Sequence, residues 1–338
     1  MIATSYIGQK TFTIEQKSLD TPAKDEVRIK VAYCGICGTD MHIFHGNMDQ
    51  RVSFPQTIGH EMSGKIDELG SEVNGFDVGD KVVVRPLDTR HERASDKGLS
   101  HISKGLKFIG IDSPGAMQQY WNVPAFTLHK LPDHLDLQLA ALIEPLAVAC
   151  HDVRLSELQE EEVAVVLGGG PIGILVAIVA KSRGARVLVS EVNPSRIAFA
   201  EAMGFETINP LETELEQYLE DSTDGKMADV VYEVAGVQAT LNQSTKIAGL
   251  RGRIVIVAIH NEPKKIDLFQ FFWKELKLMG VRVYESEDYQ EAIQLVTKNE
   301  FGFERMITKV EPLTQIQKAF EDIEKNPEGM KVLLDCQK

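Results

Sequence analysis

Three short stretches bring together a thiol, an imidazole and carboxylates of the kinds that could share a metal ion. They are Cys37-Gly38-Thr39-Asp40-Met41-His42, Gly59-His60-Glu61 and Glu144-Pro145. A thiolate, an imidazole and a carboxylate are the three protein ligands that suit a catalytic zinc, with a fourth position left open. Cys34 and Cys37 also form a Cys-x-x-Cys pair, which alone reads as a redox pair, half of a structural zinc site or a coincidence of spacing. The only other cysteines are Cys150 and Cys336, so a second such pair, and with it a four-cysteine zinc site, is not available. Glu144 sits in the apolar run ALIEPLAVA. A carboxylate buried there needs a partner or a cation. If exposed, it would only cap a helix beside Pro145, and both readings stay open.

A second chemistry is written in glycine. Gly168, Gly170 and Gly173 form G-x-G-x-x-G, with Pro171 and Ile172 between the last two. The motif follows the apolar run Val163–Leu167 and opens a predicted helix. The first glycine permits a tight turn, the second lets backbone approach a pyrophosphate, and the third lets helix and strand pack closely. The helix N-terminus adds amide donors and partial positive charge. The plain alternative is a glycine-rich turn. Glu191 ends the next predicted strand about 20 residues on, where an acid should bind the adenosine ribose hydroxyls. A carboxylate there would repel a 2′-phosphate, so the expected cofactor is NAD rather than NADP. Arg196 reads either as a residue lying over the adenine or as a solvated helix residue.

Taken together, GICGTDMH (35–42), GHEMSG (59–64), VGDKV (78–82), LIEPLAVACH (142–151) and GGGPIG (168–173) carry a resemblance over nearly the whole chain. The sequence resembles the zinc-dependent medium-chain dehydrogenase/reductase (alcohol dehydrogenase) family, in its sorbitol, butanediol, threonine and galactitol-phosphate dehydrogenase branch. The resemblance implies a β-rich GroES-like catalytic domain interrupted by a dinucleotide-binding domain, with the active site in the cleft between them. It also implies hydride transfer between nicotinamide and a hydroxyl of a sugar, sugar acid or polyol. Cys37 and His60 match zinc ligands, and Glu61 and Glu144 match carboxylates in or beside the zinc shell. Thr39 matches the hydroxyl residue that contacts the substrate oxygen, and His42 the outer end of a proton relay. Asp40 would orient a ligand histidine. Cys34 falls outside the ligand positions and is expected to be a packed free thiol, and His45 a loop histidine. Many relatives carry four lobe cysteines spaced C-x2-C-x2-C-x7-C. Here Thr89, Glu92, Ser95 and Ser103 stand at those positions, so a single catalytic zinc is expected, with His91 and His101 as surface residues. The rival readings are a zinc-free NADPH-dependent quinone-type reductase and a non-catalytic binding protein on the same fold.

The elements that must position these residues follow from pattern. Glu26–Tyr33 (EVRIKVAY) alternates polar and apolar residues and predicts a half-buried strand; Met62–Leu69 and Lys81–Val84 predict two more. Arg90–Lys107 reads as a polar surface lobe, and Leu137–Ala149 as one apolar helix. From Val163 onward, strands at 163–167, 186–190, 229–234 and 253–257 alternate with helices at 172–183, 195–203 and 238–248. That alternation predicts an α/β, doubly wound parallel sheet. Helices near 289–298 and 314–324 and a strand at 331–335 are expected to rejoin the first domain. The expected division is therefore 1–150 completed by 285–338 for the catalytic domain, and 151–284 for the Rossmann domain. Arg282 and Tyr284, at the re-entry, are candidate substrate contacts or a packed strand.

Composition sets the outer bounds. The chain has 338 residues and a formal net charge of −14, so its field disfavours nucleic acid as the main partner. The N-terminal stretch lacks an apolar signal-peptide core, and the longest apolar run, Ile172–Ala180, is too short to span a bilayer. A cytoplasmic homodimer or homotetramer acting on a small molecule, with no membrane partner, is expected.

Overall fold

The computed structural model describes residues 1–338 apart from Asn261 and Pro327. The chain divides into two compact units, Met1–Glu144 with Glu285–Lys338, and Pro145–Tyr284. The first crossing thus lies at residues 144/145 rather than at 150.

The first unit opens on a hairpin of β1 (Ile2–Tyr6) and β2 (Phe12–Gln16). Then come β3 (Glu26–Gly35), α1 (Gly38–Phe44), β4 (Glu61–Leu69), β5 (Lys81–Val84), the short pair β6 (Leu87–Asp88) and β7 (Lys107–Phe108), β8 (Tyr120–Pro124), β9 (Leu128–Lys130) and α2 (Leu137–Ala140). In β3 the sequence alternation is realised directly: Val27, Ile29 and Val31 are buried and Lys30 is exposed, as a side-chain period of two requires.

The single helix expected over Leu137–Ala149 is two, α2 and α3 (Ile143–Leu155). Pro145 explains the break. It has no N–H to give the carbonyl of Ala141, so a continuous helix would lose that bond. Restarting at Ile143 puts the proline in a first turn, where no N–H is needed. The break leaves Glu144 in the first turn of α3.

The second unit runs β10 (Val163–Leu167), α4 (Pro171–Ser182), β11 (Arg186–Ser190), α5 (Pro194–Ala202), β12 (Glu206–Ile208), α6 (Leu215–Ser222), β13 (Ala228–Glu233), α7 (Gln238–Ile247), β14 (Ala248–Ile256), α8 (Leu268–Lys274) and β15 (Lys277–Gly280). Its strands form one parallel sheet in the order β12-β11-β10-β13-β14-β15. The order reverses between β10 and β13, and that reversal opens a crevice at the carboxyl ends of the strands. β10 is central and buried from Ala164 to Leu167, hence its unbroken apolar run.

The chain then adds α9 (Ser286–Lys298), β16 (Ile307–Pro312), α10 (Ile316–Lys325) and β17 (Lys331–Asp335) to the first unit. β17 pairs antiparallel with β3 on one side and parallel with β16 on the other. Leu333 faces Gly35 in this register, and the Ile36 N–H donates to the Val332 carbonyl at 2.9 Å. The last strand therefore delivers Lys331 beneath the start of α1.

Candidate active site

α1 begins at Cys37, its N-cap. Asp40 folds back onto that cap: its Oδ2 accepts the Cys37 N–H at 2.9 Å. Its other oxygen, Oδ1, lies 3.7 Å from Nδ1 of His60. One buried carboxylate thus fixes the helix start and faces one nitrogen of the imidazole, and the imidazole lies beside the Cys37 thiol. His60 and Glu61 arrive together where β4 begins. Ligand atoms of Cys37, His60 and Glu61 lie within 4.8 Å of one another. Thr39 and His42 share one face of α1, three residues apart; both are half-buried, and His42 Nδ1 is 3.4 Å from the Asn47 side-chain amide. Glu144 is buried and lies outside that donor group, yet near enough for its charge to act on both His60 and Lys331.

Lys331 is the residue that the sequence did not announce. It is buried, donates to the Ile36 carbonyl at 3.2 Å and forms a salt bridge with Glu61 Oε2. Glu61 Oε1 is buried with no hydrogen-bond partner among the described residues. A Cβ on residue 35 would collide with the Glu61 carboxylate, so Gly35 is required there. The only clue in the sequence was a lysine heading an apolar strand, KVLLD.

The electrostatics call for a cation. Burial and the charge of Glu61 push the Cys37 thiol pKa up. Burial disfavours imidazolium at His60, but Asp40, Cys37 and Glu144 together hold its pKa well above the ordinary value. Burial likewise opposes the Lys331 charge, while Glu61, Cys37 and Glu144 hold its pKa above normal. With the imidazole neutral, as a metal ligand must be, Cys37, Asp40, Glu61 and Glu144 ionised would confront a single ammonium. A divalent ion is what such a set accommodates, and sulfur, nitrogen and oxygen donors with an orphaned carboxylate oxygen fit zinc.

In the second unit a cavity of about 760 Å³ lies at the carboxyl ends of the strands. Gly168, Gly170, Pro171, Ile172, Gly173, Glu191 and Arg196 all line it. A Cβ on residue 173 would overlap the Gly168 carbonyl, so only glycine lets α4 start so close to β10. Glu191 accepts hydrogen bonds from three backbone N–H groups, those of Gly169 (2.8 Å), Val192 (2.7 Å) and Asn193 (2.9 Å). Its carboxylate is thereby held at the end of β11, facing the cavity. Arg196 Nη1 stands 3.9 Å from Glu191 Oε2. The cradle fits a dinucleotide: a glycine turn, a helix N-terminus and a fixed acid.

Residues 23–133 match the alcohol dehydrogenase GroES-like domain, and residues 171–298 match the zinc-binding dehydrogenase domain. The chain is similar to the 2-dehydro-3-deoxy-L-galactonate 5-dehydrogenase of Pseudoalteromonas atlantica, with 55% identity over 99% of each chain. The chain belongs to the zinc-dependent medium-chain dehydrogenases. It is also similar to a sorbitol dehydrogenase of Halalkalibacterium halodurans, at 31% identity over 97% of this chain and 96% of that one. Among solved structures, 2R,3R-butanediol dehydrogenase from Bacillus subtilis matches with a TM-score of 0.92 and 31% identity, over 99% of each chain. This medium-chain dehydrogenase is thus an enzyme of the zinc-dependent alcohol and polyol type, with a β-rich GroES-like domain and a Rossmann-like parallel sheet. It acts on a hydroxyl of a sugar, sugar acid or polyol with a nicotinamide cofactor. Neither the zinc-free reductase nor the binding-protein reading fits this membership.

In this dehydrogenase Cys34, Cys150 and Cys336 are buried, and none of them is in a disulfide among the described residues. No lobe residue belongs to a group able to hold a metal, among the described residues. His91 is exposed, but the expectation of a surface His101 is corrected: it is 5% exposed, with Nδ1 3.9 Å from Glu285 Oε1. The short 3-10 turn Ser100–Ile102 rotates it inward while Ile102 faces out. Arg282 is exposed and Tyr284 fully buried. No helix is long and apolar enough to cross a membrane, among the described residues.

Proposed function

We propose that the enzyme oxidises a secondary hydroxyl of a 2-dehydro-3-deoxy sugar acid with NAD, using one zinc ion. The observation that carries the zinc reading is the donor group of Cys37, His60 and Glu61 at the start of α1. The substrate class is supported by the relative at 55% identity, whose name gives 2-dehydro-3-deoxy-L-galactonate as the molecule that protein oxidises at carbon 5. Zinc would supply Lewis acidity to the substrate hydroxyl, and nicotinamide would take up the hydride. Cys37 and His60 hold the metal, with Glu61 or Glu144 as the carboxylate ligand. Asp40 orients the His60 ring. Thr39 takes the hydroxyl proton, and His42, one turn further along α1, passes it outward. Gly168, Gly170, Pro171, Ile172 and Gly173 seat the pyrophosphate, Glu191 binds the adenosine ribose, and Arg196 flanks the adenine side. The preference for NAD is supported by the Glu191 carboxylate that lines the cavity, which would repel a 2′-phosphate.

We propose a homodimer or homotetramer as well. Leu268, Phe269, Phe272 and Trp273 of α8 are exposed, and β15 is an edge strand of the sheet; exposed apolar patches and open strand edges both favour association with a second copy. Four cysteines, none of them in a disulfide among the described residues, support a reducing, cytoplasmic setting. The test is turnover of zinc-loaded protein with NAD on 2-dehydro-3-deoxy-L-galactonate, a panel of polyols, and ethanol. Turnover should be strongest on the sugar acid. Good turnover of ethanol with none on any sugar acid or polyol would overturn the assignment.

A further inference from the structure

We propose that Glu233 and His260 are positioning residues for the nicotinamide half of the dinucleotide. The proposal rests on the cofactor reading above and extends it to a place that no motif marks. Glu233 ends β13 and is fully buried. Its Oε1 accepts hydrogen bonds from the Gly236 N–H at 2.8 Å and the Thr240 hydroxyl at 2.6 Å. Its Oε2 lies 3.1 Å from His260 Nε2. An ionised carboxylate can only accept, so Nε2 carries the hydrogen. His260 belongs to the segment that follows β14. One carboxylate therefore ties together the turn after β13, the first turn of α7 and the segment after β14. Gln238 makes a second tie: its side-chain amide donates to the Lys265 carbonyl at 2.7 Å and accepts the Lys265 N–H at 3.0 Å.

The tied turn and helix start form a wall of the cofactor cavity, where Val234, Ala235, Val237 and Thr240 line it. The sheet order says which half of the cofactor that wall meets. Glu191, at the end of β11, marks the adenosine side of the reversal between β10 and β13. A dinucleotide that crosses the reversal lays its second nucleotide over the carboxyl ends of β13 and β14. Glu233 ends the first of those strands and His260 follows the second.

The pair carries costs. Among the described residues His260 Nδ1 is buried with no hydrogen-bond partner, and burial of a carboxylate is itself unfavourable. An apolar pair of similar shape would leave the Gly236 N–H and the Thr240 hydroxyl without this acceptor. It could not fix the turn, the helix start and the following segment in register by directed bonds.

The test compares binding of NADH and of ADP-ribose, which lacks the nicotinamide ring, by calorimetry. His260→Ala should weaken NADH about tenfold, ~1.4 kcal/mol, and leave ADP-ribose unchanged. His260→Gln keeps a donor near the Nε2 position and should retain the wild-type affinity for NADH. If the alanine variant does not fold, His260→Asn, whose shorter amide falls short of Glu233, should show the same selective loss. Unchanged NADH binding, or equal weakening of both ligands, overturns the proposal. Failure of the cofactor reading is distinct from this: the wild type itself would then bind neither ligand.

Discussion

The ammonium of Lys331 lies against the carboxylate of Glu61, both buried and 270 residues apart in the chain. The ion pair occupies one oxygen of Glu61 and leaves the other unpartnered beside Cys37 and His60. In the proposed zinc site, Lys331 and the metal ion would share one carboxylate.

That sharing makes a prediction. Lys331→Met leaves Glu61 without its counter-ion, and breaking a buried pair in this way costs about 3–5 kcal/mol. In metal-free protein the full loss should appear in urea denaturation. In zinc-loaded protein the metal compensates Glu61, and the loss should be clearly smaller. Equal losses in the two forms would show that Glu61 does not reach the metal.

No local sequence pattern marks Lys331. The donor residues stand in compact motifs whose residue types carry their chemistry, and the glycine turn follows a strand whose apolar run marks it as buried. Val163–Leu167, Arg186–Ser190 and Lys331–Asp335 form strands with the expected bounds. Lys331, however, acquires its role only because β17 is inserted between β16 and β3, a long-range pairing that no local pattern encodes. β12 and α6 were missed for a different reason. β12 has only three residues, and α6 buries only Leu215 and Leu219 of its eight, too few for either period to register. Glu233 and His260 are likewise joined only by the parallel placement of β13 beside β14.

Metal content tests the lobe. Elemental analysis of dialysed protein should give one zinc per chain, and Cys37→Ser should abolish it, because a lobe with Thr89, Glu92, Ser95 and Ser103 at the thiolate positions cannot hold a second ion. Two tightly held zinc ions per chain would require a second site that the lobe residues do not supply.

Glu191 should set cofactor choice. Its carboxylate holds three backbone N–H groups and would repel a 2′-phosphate. Glu191→Ala removes the repulsion and loosens the turn, so NAD should lose affinity while NADP loses less or gains. The ratio of kcat/KM for NAD over NADP should fall at least about tenfold, ~1.4 kcal/mol. An unchanged ratio would show that Glu191 does not contact the ribose.

His129 predicts a pH dependence of stability. Burial, then the nearby Arg85 charge, lowers its pKa to about 4. It stacks on Tyr289 with centroids 4.9 Å apart, and its Nδ1 lies 3.0 Å from the Gln290 amide. Above pH 6.5 the ring is neutral folded or unfolded and contributes no pH dependence. Between pH 6.5 and 4 the unfolded chain binds a proton that the folded one refuses, so stability falls as pH falls. The total is roughly 3 kcal/mol for a pKa lowered from 6.5 to about 4. His129→Asn keeps an acceptor for Gln290 and cannot titrate. Its stability should decline less steeply over that window in urea denaturation at stepped pH; an identical slope would mean that His129 protonates freely in the fold.

Glu144 provides the sharpest test of the metal site. It stands in the first turn of α3, buried, because Pro145 forces the helix to restart there. Its charge reaches His60 and Lys331, although the donor group itself consists of Cys37, His60 and Glu61. With one Glu61 oxygen held by Lys331, Glu61 alone would be a weakened ligand in the proposed site, and Glu144 is the second carboxylate within reach of the same charges. Glu144→Gln preserves shape and removes the charge. Zinc affinity, measured by chelator competition, should fall about 10–100-fold, and turnover should fall at saturating zinc. Glu61→Gln makes a useful contrast, for it strands Lys331 as an uncompensated buried charge and should also destabilise the metal-free protein by several kcal/mol, ~3–5. Glu144→Gln should not, since Lys331 keeps Glu61. If Glu144→Gln retains both full zinc affinity and full turnover, Glu144 has no part in holding the metal, and Glu61 completes the site alone.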